Sequence, residues 1–334
     1  MAFLDGMNLQ SIGLAAPGMI DTLHIAPQAF GAVFSAALVG IAIGAFALGP
    51  AADRFGRKRV RIVTTLCFGV FTIGTALVSH LDQLVIYRVL AGLGLGGAMP
   101  SYISLASEYV PGRLRATVVS ALWAGFPLGG MIGGVVASWI IPAFGWRSVF
   151  FVGGALPFLL TVPLAMLPES LTYMSDRAKP EQIARTLNRI FPDAAFDSST
   201  RFTLTRNAKG EAAPIQLFLA GRASGTVLLW VSFFLAFMIL VTNSAWSPTL
   251  LHSEGMPVAR SAIALAVFNC GAIFGSSFAG WLLTRFGASM ILPAAFLLSA
   301  ISYGLIGYAA PSMTMVTLLQ GLFGLFAGCA SSGL

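Results

Sequence analysis

The chain has 334 residues, of which 57% are hydrophobic and only 9% charged, with a formal net charge of +7. Water-soluble domains of this size carry far more charge, so that class is excluded. The excess of base does not point to nucleic acid, because the Lys and Arg residues are parcelled into particular loops between long apolar runs.

A membrane span needs about 20 mostly apolar residues, and runs of that order follow one another along the chain. Residues 1–20 form the first candidate, followed by 30–49, 60–78, 84–109, 116–141 and 149–167. After a polar interval come 225–251, 262–283, 290–309 and 314–334. These runs are too long and too continuous for barrel strands, whose side chains alternate at every residue. They predict an all-α polytopic membrane protein of about ten spans.

The loop charges predict the orientation. If "GPAADRFGRKRV" (residues 49–60) is cytoplasmic, then Arg54, Arg57, Lys58, Arg59, Arg61, Arg113, Arg115 and Arg285 all fall inside, with every Lys and Arg of residues 168–224. Only Arg147 and Arg260 fall outside. This is the positive-inside pattern of a multi-pass inner-membrane protein with a cytoplasmic central segment. Three domains are expected: a six-helix bundle at 1–168, a linker at 169–224 and a partial second bundle at 225–334. Within the linker, "KPEQIARTLNRI" reads as a short surface helix, with Pro180 in its first turn and Ile183, Leu187 and Ile190 on one side.

The two halves share a pattern. "GIAIGAFALGPAADRFG" from Gly40 and "GAIFGSSFAGWLLTRFG" from Gly271 align without gaps at an offset of 231 (271 − 40). Gly40, Gly44 and Gly49 then match Gly271, Gly275 and Gly280, and Arg54, Phe55 and Gly56 match Arg285, Phe286 and Gly287. The second and eighth spans are thus repeats, an arrangement used by transporters. Gly40 and Gly44, Gly92 and Gly96, Gly129 and Gly133, and Gly130 and Gly134 are each four apart, so each pair shares a helix face suited to close packing. Cys67, Cys270 and Cys329 lie in apolar runs without metal or disulfide spacing, and His24, His80 and His252 stand singly in expected outside loops. No metal cluster, catalytic triad or phosphate loop is found, so neither an enzyme nor a cofactor is expected. "GLGLGG" at Gly92 lies inside an apolar helix rather than after a strand.

Several of these stretches resemble one family. "GPAADRFGRKRV", "RVLAGLGLGG" from Arg88 and "LPES" at Leu167 are similar to signatures of the major facilitator superfamily. "DGMNLQSIGLAAP", "GLGLGGAMPSYISLASEYVPGRLRAT", "GFPLGGMIGG", "PAFGWRSVFFVGG" and "SAWSPTLL" resemble its aromatic acid:proton symporters, the 4-hydroxybenzoate and protocatechuate type. The resemblance implies two six-helix repeats, a central cavity lined by spans one and four, and a monomeric carrier of a small organic anion with the proton as coupling ion. It also implies that Asp53 is a gating acid, pairing with basic groups and a helix N-terminus of the other half in the outward-open state, within a loop signature of Gly49, Asp53, Arg54, Gly56, Arg57 and Lys58. Two departures stand out. The family's D-G-aromatic-D reads Asp5, Gly6, Met7, Asn8 here, and ten spans replace twelve, which is expected of a fragment with a truncated first span and no last two.

Ionisable groups inside a bilayer cost several kcal/mol each and mark function. Asp5 and Arg88 are the two here. A carboxylate able to take up a proton is suited to carrying one, so Asp5 is assigned to proton coupling. An arginine stays charged and clamps a carboxylate with two parallel hydrogen bonds, so Arg88 is assigned to the organic anion or to electrostatic control of Asp5. A structural Asp5–Arg88 ion pair is the competing reading. Asn8, Asn243, Trp246 and Asn269 are further substrate-contact candidates, with interhelical amides and an interface Trp as the alternative. Glu108 is read as part of the gate beside Arg113 and Arg115, with Arg285 as the repeat's counterpart of Arg54. The function read is proton-coupled uptake of aromatic carboxylates such as hydroxybenzoates. The alternatives are another facilitator carrier, for sugars or for drug or metabolite efflux, and a truncated, non-transporting remnant.

Overall fold

The computed structural model describes residues 1–110, 112–170, 223–309 and 312–333, with a few isolated positions between 173 and 196. Ten long helices and no strand occur among them. The first six are α1 (Ala2–Leu23), α2 (Phe30–Phe55), α3 (Arg57–Ala76), α4 (Leu81–Tyr109), α5 (Gly112–Phe144) and α6 (Arg147–Met166). The last four are α7 (Ala223–Ser253), α8 (Val258–Phe286), α9 (Ala288–Tyr308) and α10 (Met313–Gly333). Every expected span is a helix, and the all-α reading stands. Eight of the ten are long and apolar enough to cross a membrane; the other two, α1 and α4, carry Asp5 and Arg88. The expected surface helix at 179–190 lies largely outside the described residues.

Single glycines make the sharpest connections. Gly56 (φ 99°) joins α2 to α3, and Gly287 (φ 80°) joins α8 to α9. A side chain is strained at such positive φ values, which explains why both repeats keep glycine at this point.

The glycine pairs hold α2 against α4, backbone to backbone. A Cβ on Gly40 would collide with the Val89 carbonyl, and one on Gly44 with that of Leu93. From the other side, Gly92 faces the Ala37 carbonyl and Gly96 that of Ile41. The same interlock recurs between α8 and α10: Gly271 and Gly275 meet the carbonyls of Gly321 and Leu325, while Gly324 and Gly328 meet those of Phe268 and Ala272. Each contact in the second half is the image of one in the first, at an offset of 231 in α8 and 232 (324 − 92) in α10. The repeat seen in the sequence of one helix therefore extends to a helix pair, and α10 is the structural counterpart of α4. A Cβ on Gly49 or Gly280, though these too match in sequence, would meet nothing within 4 Å beyond its own helix, so neither takes part in the interlock.

The two halves meet through α1 against α7 and α5 against α8. Here too glycine permits close approach: a Cβ on Gly13 would lie 2.8 Å from the Ala245 carbonyl oxygen, and one on Gly134 2.9 Å from that of Ala262. Phe34 of α2 packs edge-on against Trp246 of α7, with ring centroids 5.2 Å apart. These contacts lie from the middle of the helices toward the end that carries His24 and His252. At that end Ile12, Ala16, Phe30 and Trp146 form one buried cluster with Ala245.

Candidate transport site

Arg88 sits on α4 one turn before Gly92, on the stripe that the interlock presses against α2. Its side chain is completely buried (0% exposed). Nη1 donates to Asn8 Oδ1 of α1 at 3.3 Å, while Nε and Nη2 have no hydrogen-bond partner. The guanidinium lines a small crevice with Ile12, Phe34, Ala37, Ser244 and Ala245, which brings α1, α2, α4 and α7 to one point between the halves. The crevice holds about 10 Å³, room for roughly one water and too little for an aromatic ring. A larger ligand enters only if the helices part.

Asp5 lies one turn before Asn8 on α1 and is 6% exposed, with Oδ1 unpartnered. The two ion pairs among the described residues both belong to Arg57, so Asp5 and Arg88 do not form the structural pair. Asn8 stands between them in sequence and binds only the arginine.

The amide candidates are already engaged. Asn269 of α8 exchanges two hydrogen bonds with Gln10 of α1, Gln10 Nε2 to Asn269 Oδ1 at 2.9 Å and Asn269 Nδ2 to Gln10 Oε1 at 2.8 Å. Asn269 Nδ2 also donates to the Leu265 carbonyl at 2.8 Å. Gln10, which was not among the substrate-contact candidates, is thus the α1 side of a fully buried polar link between the halves. Its signal was a glutamine in an apolar run, without a visible partner 259 residues away. Asn243 of α7 is likewise paired, with Gln320 of α10: Gln320 Nε2 donates to Asn243 Oδ1 at 3.1 Å, and Asn243 Nδ2 donates back at 3.2 Å. Gln320 Nε2 donates further to Ser247 Oγ at 2.8 Å. Trp246 faces Phe34 at the interface.

At the opposite end, Arg57 is a hub. It pairs with Asp53 (Nη2–Oδ1 3.1 Å) and Glu108 (Nη1–Oε1 2.6 Å), and donates to Ser104. Ser170 donates to Glu108 Oε2 at 2.8 Å, and Glu169 Oε1 accepts the Lys58 backbone N–H at 2.8 Å, at the N-terminus of α3, where a carboxylate is favoured. Asp53 and Glu108, expected from the sequence to belong to a gate, are therefore joined through Arg57 within the first half, with Asp53 left 68% exposed. Arg54 stacks on Phe55, and its counterpart Arg285 lies over Trp281 and Phe286. The side chains of Arg113 and Arg115 lie outside the described residues. Arg61 differs from its reading as a loop anchor. Because α3 begins at Arg57, Arg61 is a turn inside the helix, fully buried, with none of its three side-chain nitrogens hydrogen-bonded.

A six-helix half, a second half of four helices that repeats its glycine interlock, and buried polar groups at the seam describe a membrane carrier, and the chain belongs to the Major Facilitator Superfamily, which it matches over residues 1–334. Among relatives, it is 37% identical to the 4-hydroxybenzoate transporter PcaK of Acinetobacter baylyi over 340 residues, covering all of this chain and 73% of that one. It is 34% identical to a gallate transporter of Pseudomonas putida, covering all of this chain and 72% of the relative. The fold matches the xylose transporter XylE of E. coli in its partially occluded inward-open conformation, with a TM-score of 0.74 at 21% identity over 99% of this chain and 83% of that one.

The Gln10–Asn269 exchange makes a specific energetic prediction. Replacing either residue by Leu leaves the other amide buried without its partner across the halves, which should cost about 1–3 kcal/mol. The double replacement should cost clearly less than the sum of the two. Thermal unfolding in detergent measures this, and strictly additive losses would show that the pair is not coupled.

Proposed function

We propose that the chain is a proton-coupled carrier that takes up aromatic carboxylates across the inner membrane. The observation that carries the reading is Arg88: a buried cation at the seam with two guanidinium nitrogens unpartnered. Burying such a charge without an anion costs several kcal/mol. A substrate carboxylate supplies the missing partner, and the apolar walls of Ile12, Phe34 and Ala37 suit an uncharged ring. The relatives named above, transporters of 4-hydroxybenzoate and gallate, support the same substrate class. Asp5 has the second buried carboxylate chemistry needed, an unpartnered oxygen on the helix that carries Asn8. In this reading it takes the proton, which needs no other cofactor. The carrier works as a monomer, with its apolar outer side chains, such as Phe46, Trp139 and Leu159, against lipid. The halves at 1–168 and 225–334 rock about the seam, and the linker 169–224 lies in the cytoplasm.

Three measurements test this. Arg88→Ala should weaken benzoate-type anions by about one to two decades in affinity, the worth of a charge-assisted bond. Arg88→Lys, which keeps the charge but loses the fork, should fall between, and benzamide should bind poorly and barely distinguish the variants. Unchanged benzoate affinity in Arg88→Ala would remove the clamp. Asp5→Asn should abolish accumulation driven by a pH gradient in proteoliposomes while the protein still inserts; undiminished proton-driven uptake would exclude Asp5 from coupling. For orientation, in a cysteine-free background, cysteines at His80 and His252 should react with an impermeant reagent in intact cells and one at Ala208 should not. Strong labelling at 208 would reverse the topology.

A further inference from the structure

The interlock of α2 with α4 and of α8 with α10 sets up a residue-by-residue correspondence between the halves. Arg88 precedes Gly92 by four residues, and Gln320 precedes Gly324 by four, so at the α10 offset of 232 Gln320 is the image of Arg88. Their partners correspond as well. Arg88 donates to Asn8 of α1, and Gln320 donates to Asn243 of α7, the helix in the matching place of the second half. Both long polar side chains are completely buried, 0% exposed, and each is tied to an asparagine across a helix seam. Arg88 lines the central crevice, and the repeat relation gives Gln320 the corresponding place on α10 in the second half. Ser244 and Ala245, which follow Asn243 on α7, already line that crevice.

The hydrogen-bond inventory of the second set is informative. Gln320 uses both amide hydrogens, on Asn243 and Ser247, and accepts one bond from Asn243. One Oε1 lone pair of Gln320, one Nδ2 hydrogen of Asn243 and the Ser247 hydroxyl hydrogen then remain. This is a neutral set offering both donors and an acceptor. A carboxylate, which only accepts, is served better by Arg88. A phenolic hydroxyl, which both donates and accepts, matches the neutral set.

We infer that Asn243, Ser247 and Gln320 form a hydroxyl-recognising subsite that reads the ring substituent of the substrate, opposite the Arg88 clamp for its carboxylate. The inference rests on the proposed aromatic-carboxylate reading and adds the polarity of binding to it. The acid lies across the seam with its anionic end on the first half and its hydroxyl on the second. A site of this kind rejects the analogue lacking the hydroxyl because its own buried polar groups are then left unpaired.

The test compares equilibrium binding of radiolabelled 4-hydroxybenzoate and benzoate to the purified chain. The wild-type chain should prefer 4-hydroxybenzoate. Gln320→Leu should weaken 4-hydroxybenzoate by about tenfold, the worth of one to two hydrogen bonds, while changing benzoate less than twofold. Ser247→Ala, a smaller change that keeps the Asn243–Gln320 pair, should shift the ratio in the same direction and guards against misfolding of the first variant. Equal losses of both acids in the two variants would make the set purely structural, and no loss of either would remove it from the site; both results overturn the inference while leaving the Arg88 clamp standing. If the wild-type chain binds neither acid, the aromatic-carboxylate reading itself falls and takes this subsite with it.

Discussion

The closest constraint in this fold is the contact of one helix backbone with another through glycine. Between helices in lipid, van der Waals packing replaces the hydrophobic drive that holds soluble bundles together. Gly40, Gly44, Gly92 and Gly96 leave no space at the α2–α4 seam, and Gly271, Gly275, Gly324 and Gly328 do the same at α8–α10. Neither helix of such a pair can slide or turn by a residue without driving a carbonyl into the space of a side chain. Whatever stands one turn away on the same stripe is therefore held in a defined place. Arg88 and Gln320 are the residues that stand there.

That placement turns an architectural repeat into a chemical asymmetry. The same position holds a cation with unmet bonding capacity in one half and a largely satisfied amide in the other. Two buried positions related by the repeat but unlike in charge make the interior of the two halves chemically unequal. The remaining polar groups of the interior make a different contribution. Gln10 and Asn269 satisfy each other across the halves, so they strengthen the closed contact on the side of His24 and His252 without demanding a ligand. At the other end, the Arg57 cluster ties α2, α3, α4 and the segment after α6 to one another.

Much of this was legible in the chain. Span number, helical class and the α2/α8 repeat follow from apolar run length and glycine spacing, because the bilayer imposes length and the backbone imposes period whatever the partners are. Asp5 and Arg88 were recognisable because a charge in an apolar run is rare and costly. Asp53 and Arg57 were legible as members of one charged loop and Glu108 as a separate acid beside Arg113 and Arg115; that Arg57 joins Asp53 to Glu108 was not.

What the tertiary structure decided is who satisfies whom. Asn243, Asn269 and Gln10 look alike in sequence, as amides in greasy helices. Only packing shows that Gln10 meets Asn269 from the other half, that Asn243 meets Gln320, and that Asn8 alone of the first-span polar residues meets Arg88. Arg61 reads as one more loop charge until the start of α3 at Arg57 draws it into the interior. The equivalence of Arg88 with Gln320 is invisible to a direct comparison of residue types, since a charge has been exchanged for an amide. It emerges from the carbonyls that each neighbouring glycine touches. The sequence by itself determined which segments cross and which residues are too polar to be idle there, because those depend on each residue's own solvation. Pairing depends on distances between residues far apart in the chain, and only the packed helices set those.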